Sequence, residues 1–477
     1  MNERTLRRAR RFVESWLQER YDQEDVPGFV AAIAQQGQLV LNRAYGYADL
    51  ERSVPMQPDH VFRIASHSKT FTSTAIMMLA DAGKLRIDDP AADYVPWLQE
   101  HRDPRWKRVT LRQLLSHGAG VIRDGLDTSY WYLGRPFPET DRFIREMQDS
   151  ALILDNNTQM KYTNYGYTLL GLVIEAVSGE SYNEFVLEHI IRPLGLTHTF
   201  PEYRPGLGQP DPDQLVTGYT AREQKRRLPI QHINTASMSP ATGFCSTAAD
   251  LCTYFTAHMT GSGQLLSDES KKEMQRAQWP MRTPGRPDDT YYGLGFILKQ
   301  YGERRTFGHS GGFPGCITNS QADPEDQLVV VVLTNCADGP AASLTAGIYA
   351  ILNWFQEHDE ERAGADEWAS LEGSYANLMG HFRIVDAGGQ LYSVYSAAWE
   401  PFALVERLEH VHDHTFKIAG SSSGGSEGEL VHFTLEQGRV TAVRHAGALS
   451  LPIREWQDYL SARSAVTLEG SRENGAI

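Results

Sequence analysis

Ser66-His67-Ser68-Lys69 stand at the head of a stretch in which Phe71, Ala75, Met78, Leu79 and Ala82 recur at three- and four-residue spacing before Gly83. That period belongs to a helix with a core-facing side, so residues 66–82 are expected to form one helix packed against other elements. The same period sets Ser66 and Lys69 on one helical face, a turn apart. A serine hydroxyl is a weak nucleophile until a base takes its proton, and an uncharged lysine amine within reach can do so. The first turn is also the unfavourable end of a helix for a cation, because unpaired N–H groups make it positive; that favours amine over ammonium. A capping serine and a solvated lysine would give the same four residues. Other strings in the chain have to decide.

Tyr162-Thr163-Asn164 precede Leu169, Leu170, Val173, Ile174 and Val177, which continue at helical spacing toward Gly179. Tyr162 is therefore expected in a loop before a helix, a place where functional side chains concentrate. A phenol there can relay a proton between an attacking hydroxyl and a leaving group, and the Asn164 amide can hold Lys69 or a substrate carbonyl, or simply cap the helix. The third string, Gly308-His309-Ser310-Gly311-Gly312, ends an expected strand. Its glycines permit close backbone approach, and a backbone N–H here, together with that of Ser66, can form an oxyanion hole. The string also satisfies G-x-S-x-G, but that nucleophile turn needs a buried strand before it and a helix after it. Arg304-Arg305-Thr306-Phe307 and Pro314 supply neither.

Apolar runs at 29–34 and 39–45 read as a hairpin, and a second strand group comes late, at 292–298, 304–308, 315–321 and 328–334, followed by a helix over 341–355. Strands at both ends with helices between them predict an α+β domain: an antiparallel sheet closed by the first and last segments and flanked by a helical region. The charged run 357–362 marks a linker. Beyond it, short strands at 380–385, 390–395, 414–418, 430–435 and 440–445 alternate with Gly- and Ser-rich turns, which predicts a small C-terminal all-β barrel. The expected domains are 1–358 and 366–460, with a tail over 461–477.

The chain of 477 residues, 41% hydrophobic, can bury large cores. It has no apolar run of about 18 residues, so no membrane span is expected. The start of the chain is charged and amphipathic, without an apolar signal centre, and Cys245, Cys252, Cys316 and Cys336 lack CxxC spacing; both features point to the cytoplasm. A net charge of -15 argues against nucleic acid or an anionic membrane as partner. His410, His412 and His414 alternate as on one strand face, but no acidic or cysteine partner stands at matching spacing, so no metal site is expected.

In order and approximate spacing, the three strings resemble the SxxK, YxN and HxG motifs of β-lactamase-related serine hydrolases, among them class C β-lactamases, penicillin-binding DD-peptidases, D-aminopeptidases and family VIII carboxylesterases. Segments 26–28, 110–117 and 241–251 also look like that family, and the resemblance covers roughly residues 25 to 355. The tail is similar in composition and placement to the lipocalin-like barrel of some members. The resemblance implies Ser66 as the acylated nucleophile, Lys69 as its base or proton partner, and Tyr162 as the relay. Asn164, His309, Gly311 and Gly312 would serve on the substrate side, with the N–H groups of Ser66 and Gly312 as oxyanion donors. His309 would stand where penicillin-recognising members carry a lysine, which argues against efficient β-lactam hydrolysis and for a peptidase or amidase on small or D-configured substrates. A carboxylesterase or acyltransferase is the alternative on the same fold. A non-catalytic binding module is the other alternative, against which the intact motifs speak. Neither metal nor organic cofactor is called for, the partner is a small-molecule or peptide substrate, and a homo-oligomer stays open.

Overall fold

A computed structural model describes residues 1–204, 206, 209–223, 226–281, 290–358, 368–395, 399–422 and 424–462. The chain divides into two compact units, Tyr21–Ile348 and a second made of Met1–Arg20 with the chain from Tyr349 onward. The division falls inside the helix Ala341–Glu357, ahead of the charged run. Most of that run, and residues 463–477 of the expected tail, lie outside the described residues.

The larger unit is built on a nine-stranded antiparallel sheet. In chain order its strands are β1 (Gly28–Gln35), β2 (Gln38–Asp49), β3 (Val54–Pro55), β4 (Trp279–Pro280), β5 (Thr290–Tyr292), β6 (Ile297–Tyr301), β7 (Arg304–Phe313), β8 (Cys316–Asp323) and β9 (Leu328–Thr334). They lie side by side as β3-β2-β1-β9-β8-β7-β6-β5-β4. The first strand therefore pairs with the last, Phe29 opposite Thr334 and Gln35 opposite Leu328. Every residue of β9 is buried, as its continuous run of valines requires of a strand covered on both faces. The single strand expected over 292–298 is instead broken into β5 and β6. Gly295 takes φ +85° at the break, and a Cβ there would lie 2.1 Å from Ser73 Oγ, so the chain bends to pack glycine against the helix bearing Lys69.

Beside the sheet lie the helices α1 (Ser68–Asp81) and α2 (Asn164–Ser178). The helix α1 is buried on nearly every side, polar residues included, because those polar groups find partners. Thr72 Oγ1 donates to the Pro240 carbonyl (2.7 Å) and accepts from the Tyr182 hydroxyl (2.7 Å). One face of α2 is cut back at Gly171, where an added Cβ would stand 2.4 Å from the Pro240 ring. The missing side chain lets the Ser239–Gly243 π-turn settle onto α2, which fixes the carbonyl of Ala241.

In the second unit eight strands close a barrel: β10 (Gly373–Asn377), β11 (Gly380–Ala387), β12 (Gln390–Val394), β13 (Val405–His412), β14 (Thr415–Ser421), β15 (Leu430–Glu436), β16 (Arg439–His445) and β17 (Ala448–Pro452). Closure is made by Tyr375 opposite Pro452 and Ala376 opposite Leu451. Tyr375, Phe382, Leu408, Phe416 and Phe433 belong to the buried cluster that fills it. The strands β10, β13 and β17 are those the sequence pattern did not give. They are short, or carry charged residues on the outward face, as Arg407 and Glu409 do in β13. The opening residues of the chain belong to this unit as well: Phe12 stacks on Phe402 at 5.0 Å, and Arg383 Nε donates to Glu19 (2.9 Å).

Candidate active site

The short strand Phe62–Arg63 pairs with Cys245–Ser246 and delivers the chain to Ala65, a non-glycine residue at φ +49°. Such a conformation costs roughly 1–2 kcal/mol and persists only where neighbours enforce it. Here they do. Ser68 Oγ donates to the Ala65 carbonyl (2.6 Å) and accepts from the Phe244 N–H (3.1 Å). His67 Nδ1 donates to the Ile64 carbonyl (3.0 Å), while its Nε2 accepts from Ser320 Oγ on β8 (2.9 Å). With its ring fully enclosed, burial pulls the His67 pKa down to about 4, so the neutral tautomer is held. Gly311 lies against the same turn, and a Cβ there would come within 2.2 Å of the Ile64 oxygen. Sheet and helix are thus clamped around Ser66, which is itself only half-buried.

Lys69 Nζ has three neighbours: Asn164 Oδ1 at 2.7 Å, the Ala241 carbonyl at 2.8 Å and Ser66 Oγ at 3.1 Å. The first two can only accept, so they take two N–H donors. Burial pushes the lysine pKa well below its ordinary value; the Asp124 carboxylate opposes this and the Arg123 guanidinium adds to it. In the neutral amine the third position is the lone pair, and it meets the Ser66 hydroxyl, which then donates to Nζ. The rings of Tyr162 and Tyr167 lie 4.9 and 5.6 Å from Nζ.

The Tyr162 hydroxyl is hydrogen-bonded to Ser66 as well, and burial raises its pKa, so the phenol stays protonated and able to give its proton away. Behind it stands His117, buried and at φ +64°. His117 Nδ1 accepts from the Thr163 N–H (3.2 Å), which leaves the proton on Nε2. That ring packs on Tyr162 (4.3 Å) and Tyr292 (4.6 Å) and holds the loop in place.

Two expected substrate-side residues are engaged elsewhere. His309 is 1% exposed, donates from Nδ1 to the Ser310 carbonyl (2.6 Å) and accepts at Nε2 from the Tyr292 hydroxyl (3.1 Å). Burial, with His67 and Lys69 nearby, lowers its pKa well below normal, so it presents no cation and almost no surface. Asn164 uses both ends of its amide: Oδ1 accepts from Lys69 and Nδ2 donates to Asp124 Oδ1 (2.6 Å). It positions Lys69. Gly312 remains exposed at the end of β7. Next to it Phe313 lies over the buried Arg63 guanidinium (4.2 Å) and against Trp131 (6.1 Å) and Phe137 (6.3 Å), an aromatic wall.

Sequence reasoning missed Asp124, Arg123, His117, Tyr292 and the Ala241 carbonyl. The signal for Asp124 and Arg123 was limited to their place at the start of a loop, and a backbone oxygen leaves no residue-type signature at all.

A half-buried serine in the 3-10 turn Ala65–His67 that leads into a buried helix, with a lysine whose pKa burial lowers and a protonated phenol at its hydroxyl beside an antiparallel sheet, describes a serine hydrolase fold. The Beta-lactamase family model matches residues 13–352, and the chain belongs to that family. The Protein flp of Staphylococcus aureus (strain MW2) is 30% identical over 174 residues, 36% of this chain and 34% of that protein; the match thus spans about a third of the relative's length. Among solved structures, the octameric penicillin-binding protein homologue from Pyrococcus abyssi is similar at TM-score 0.63 and 22% identity, covering 92% of this chain and 99% of that one. The D-stereospecific amidohydrolase from Streptomyces sp. is similar at TM-score 0.60 and 22% identity, covering 70% of this chain and 96% of that one. At these identities the likeness is one of fold.

Proposed function

We propose that this protein cleaves an amide or ester bond of a small, peptide-like or D-configured substrate through an acyl-enzyme on Ser66. The observation that carries the reading is the Lys69 amine, 3.1 Å from Ser66 Oγ with its other hydrogen-bonding positions held by two pure acceptors. Ser66 Oγ attacks the carbonyl carbon and its proton passes to Lys69 Nζ. The N–H groups of Ser66 and Gly312 are assigned to the tetrahedral oxyanion. As the carbon–leaving-group bond breaks, Tyr162 gives its proton to the departing nitrogen or oxygen and is reprotonated from Lys69. Water then attacks the ester in the reverse proton sense and frees the acid. Every step uses side chains and backbone N–H groups of this chain together with water.

The similarity to the D-stereospecific amidohydrolase from Streptomyces sp. supports the D-configured choice. An ester substrate or a nucleophile other than water would use the same acyl-enzyme. The four buried thiols among the described residues suit a reducing, cytoplasmic setting. The test is a fluorophosphonate probe followed by peptide mapping, with p-nitrophenyl acetate turnover in parallel. Label on Ser66 and turnover lost in Ser66→Ala are expected; label on Ser310 with Ser66 untouched rejects the assignment.

A further inference from the structure

The short helix Leu111–Leu115 ends in a tight double turn: the Gly118 N–H donates to the Gln113 carbonyl (2.7 Å) and the His117 N–H to the Leu114 carbonyl (3.2 Å). In such a helix stop the residue at the place of His117 takes the left-handed conformation and is usually glycine. His117 takes it at φ +64°, with its side chain buried. Left-handed backbone strains a residue that has a Cβ. Its Nε2 finds no hydrogen-bond partner among the described residues, which adds the desolvation cost of a buried N–H. Glycine would carry neither cost, so the imidazole is kept for what it reaches. It reaches the chain on both sides of Tyr162. The His117 carbonyl accepts from the Lys161 N–H (2.8 Å), and His117 Nδ1 accepts from the Thr163 N–H (3.2 Å). Between those two anchors the imidazole lies against the Tyr162 ring (4.3 Å), with Tyr292 (4.6 Å) and Tyr167 (5.1 Å) on its other contacts. Burial, with Lys69, His309 and Arg123 nearby, keeps the ring neutral and Nδ1 an acceptor.

We propose that His117 is a positioning residue for the Tyr162 proton relay, and that its grip sets how well the enzyme cleaves bonds whose leaving atom must be protonated to depart. The inference rests on the Ser66 reading above. A basic leaving atom, such as an amide nitrogen or an unactivated oxygen, departs with the proton of Tyr162, which Lys69 then replaces. An activated phenolate departs without that proton. Ser66 and Lys69 serve both kinds of bond alike. A phenol set loose from its place therefore costs the first kind and spares the second, whereas general damage to the fold costs both.

The test compares phenyl acetate with p-nitrophenyl acetate, which pass through the same acetyl-enzyme, so that kcat/KM for each reports acylation alone. The readout is the ratio of kcat/KM for the phenyl over the p-nitrophenyl ester. His117→Phe keeps a ring and removes the acceptor for Thr163; it should lower the ratio about tenfold while p-nitrophenyl acetate stays within about threefold of wild type. His117→Asn tolerates the left-handed backbone and keeps an acceptor but loses the ring contact, and should lower the ratio about threefold. Tyr162→Phe should lower it at least as far as His117→Phe, and the double variant no further, because both act through one phenol. A ratio that stays at the wild-type value in either His117 variant, whether both rates fall together or neither falls, overturns the positioning role; fluorophosphonate label on Ser66 then leaves the nucleophile standing. A further fall in the double variant overturns it as well. If His117→Phe does not fold, His117→Asn decides alone by the same ratio. A ratio unmoved by Tyr162→Phe, or absence of label on Ser66 in wild type, overturns the reading beneath it.

Discussion

The Gly171→Ala substitution tests whether the π-turn at Ser239–Gly243 holds the base. A methyl at residue 171 would sit 2.4 Å from the Pro240 ring, whereas carbon atoms rest at roughly 3.5–4.0 Å, so about 1 Å of separation must be found. Pro240 cannot rotate away, and its carbonyl is held by Thr72, so the strain passes to the backbone that carries the Ala241 oxygen. That oxygen is 2.8 Å from Lys69 Nζ; moving it by 1 Å takes the pair beyond hydrogen-bonding distance and leaves a buried N–H without its acceptor. Overpacking costs about 1–3 kcal/mol, and replacing glycine by alanine inside a helix returns roughly 0.5–1, so the net loss of stability stays near 2 kcal/mol or below. Misplacement of the base by this distance should cost acylation ten- to a hundredfold. The assay is the stopped-flow burst with p-nitrophenyl acetate beside thermal melting. A burst rate within about twofold of wild type would refute the claim that this turn positions Lys69.

Replacing Asp124 with Asn removes the carboxylate that favours the Lys69 ammonium while keeping an acceptor for the Asn164 amide. The Lys69 pKa should fall further, so the acid limb of the kcat/KM profile, which reports the neutral amine, moves to lower pH; an unmoved or raised limb argues against Lys69 as the base. The buried His67 and His258 and the half-buried His232 all have pKa values lowered to about 4 by loss of solvation. Each favours the folded state fully above the ordinary histidine value near 6.5, and that stability is lost as pH falls from there toward 4, because only the unfolded chain binds the proton in this window. The melting temperature of the larger unit should drop across that range, with His67→Gln showing a shallower drop. A melting temperature that stays flat between pH 6.5 and 4 contradicts the assignment.

Legibility in the sequence followed the range of the interaction. The helix bearing Lys69 was readable because a helical period relates residues one turn apart, whatever surrounds them, although it starts at Ser68 and Ser66 sits in the 3-10 turn before it rather than in one helix over 66–82. The hairpin β1–β2 and the valine-rich strand β9 were readable for the same local reason. The break between β5 and β6 was not, since it comes from Gly295 meeting Ser73 on a helix far away in the chain. Nor was the use of Asn164, whose amide is turned by Asp124.

The sequence by itself determined the types of group available: a hydroxyl and an amine one turn apart, a phenol before a second helix, and glycines that let a strand come close. Only the tertiary structure decided their chemical state. Burial between the helices pushes Lys69 toward the uncharged amine, burial favours neutral His309, and an exposed loop start leaves the Arg123 guanidinium open to solvent. The physical reason is that protonation depends on solvation and on charges brought close by folding, neither of which a string of residues contains.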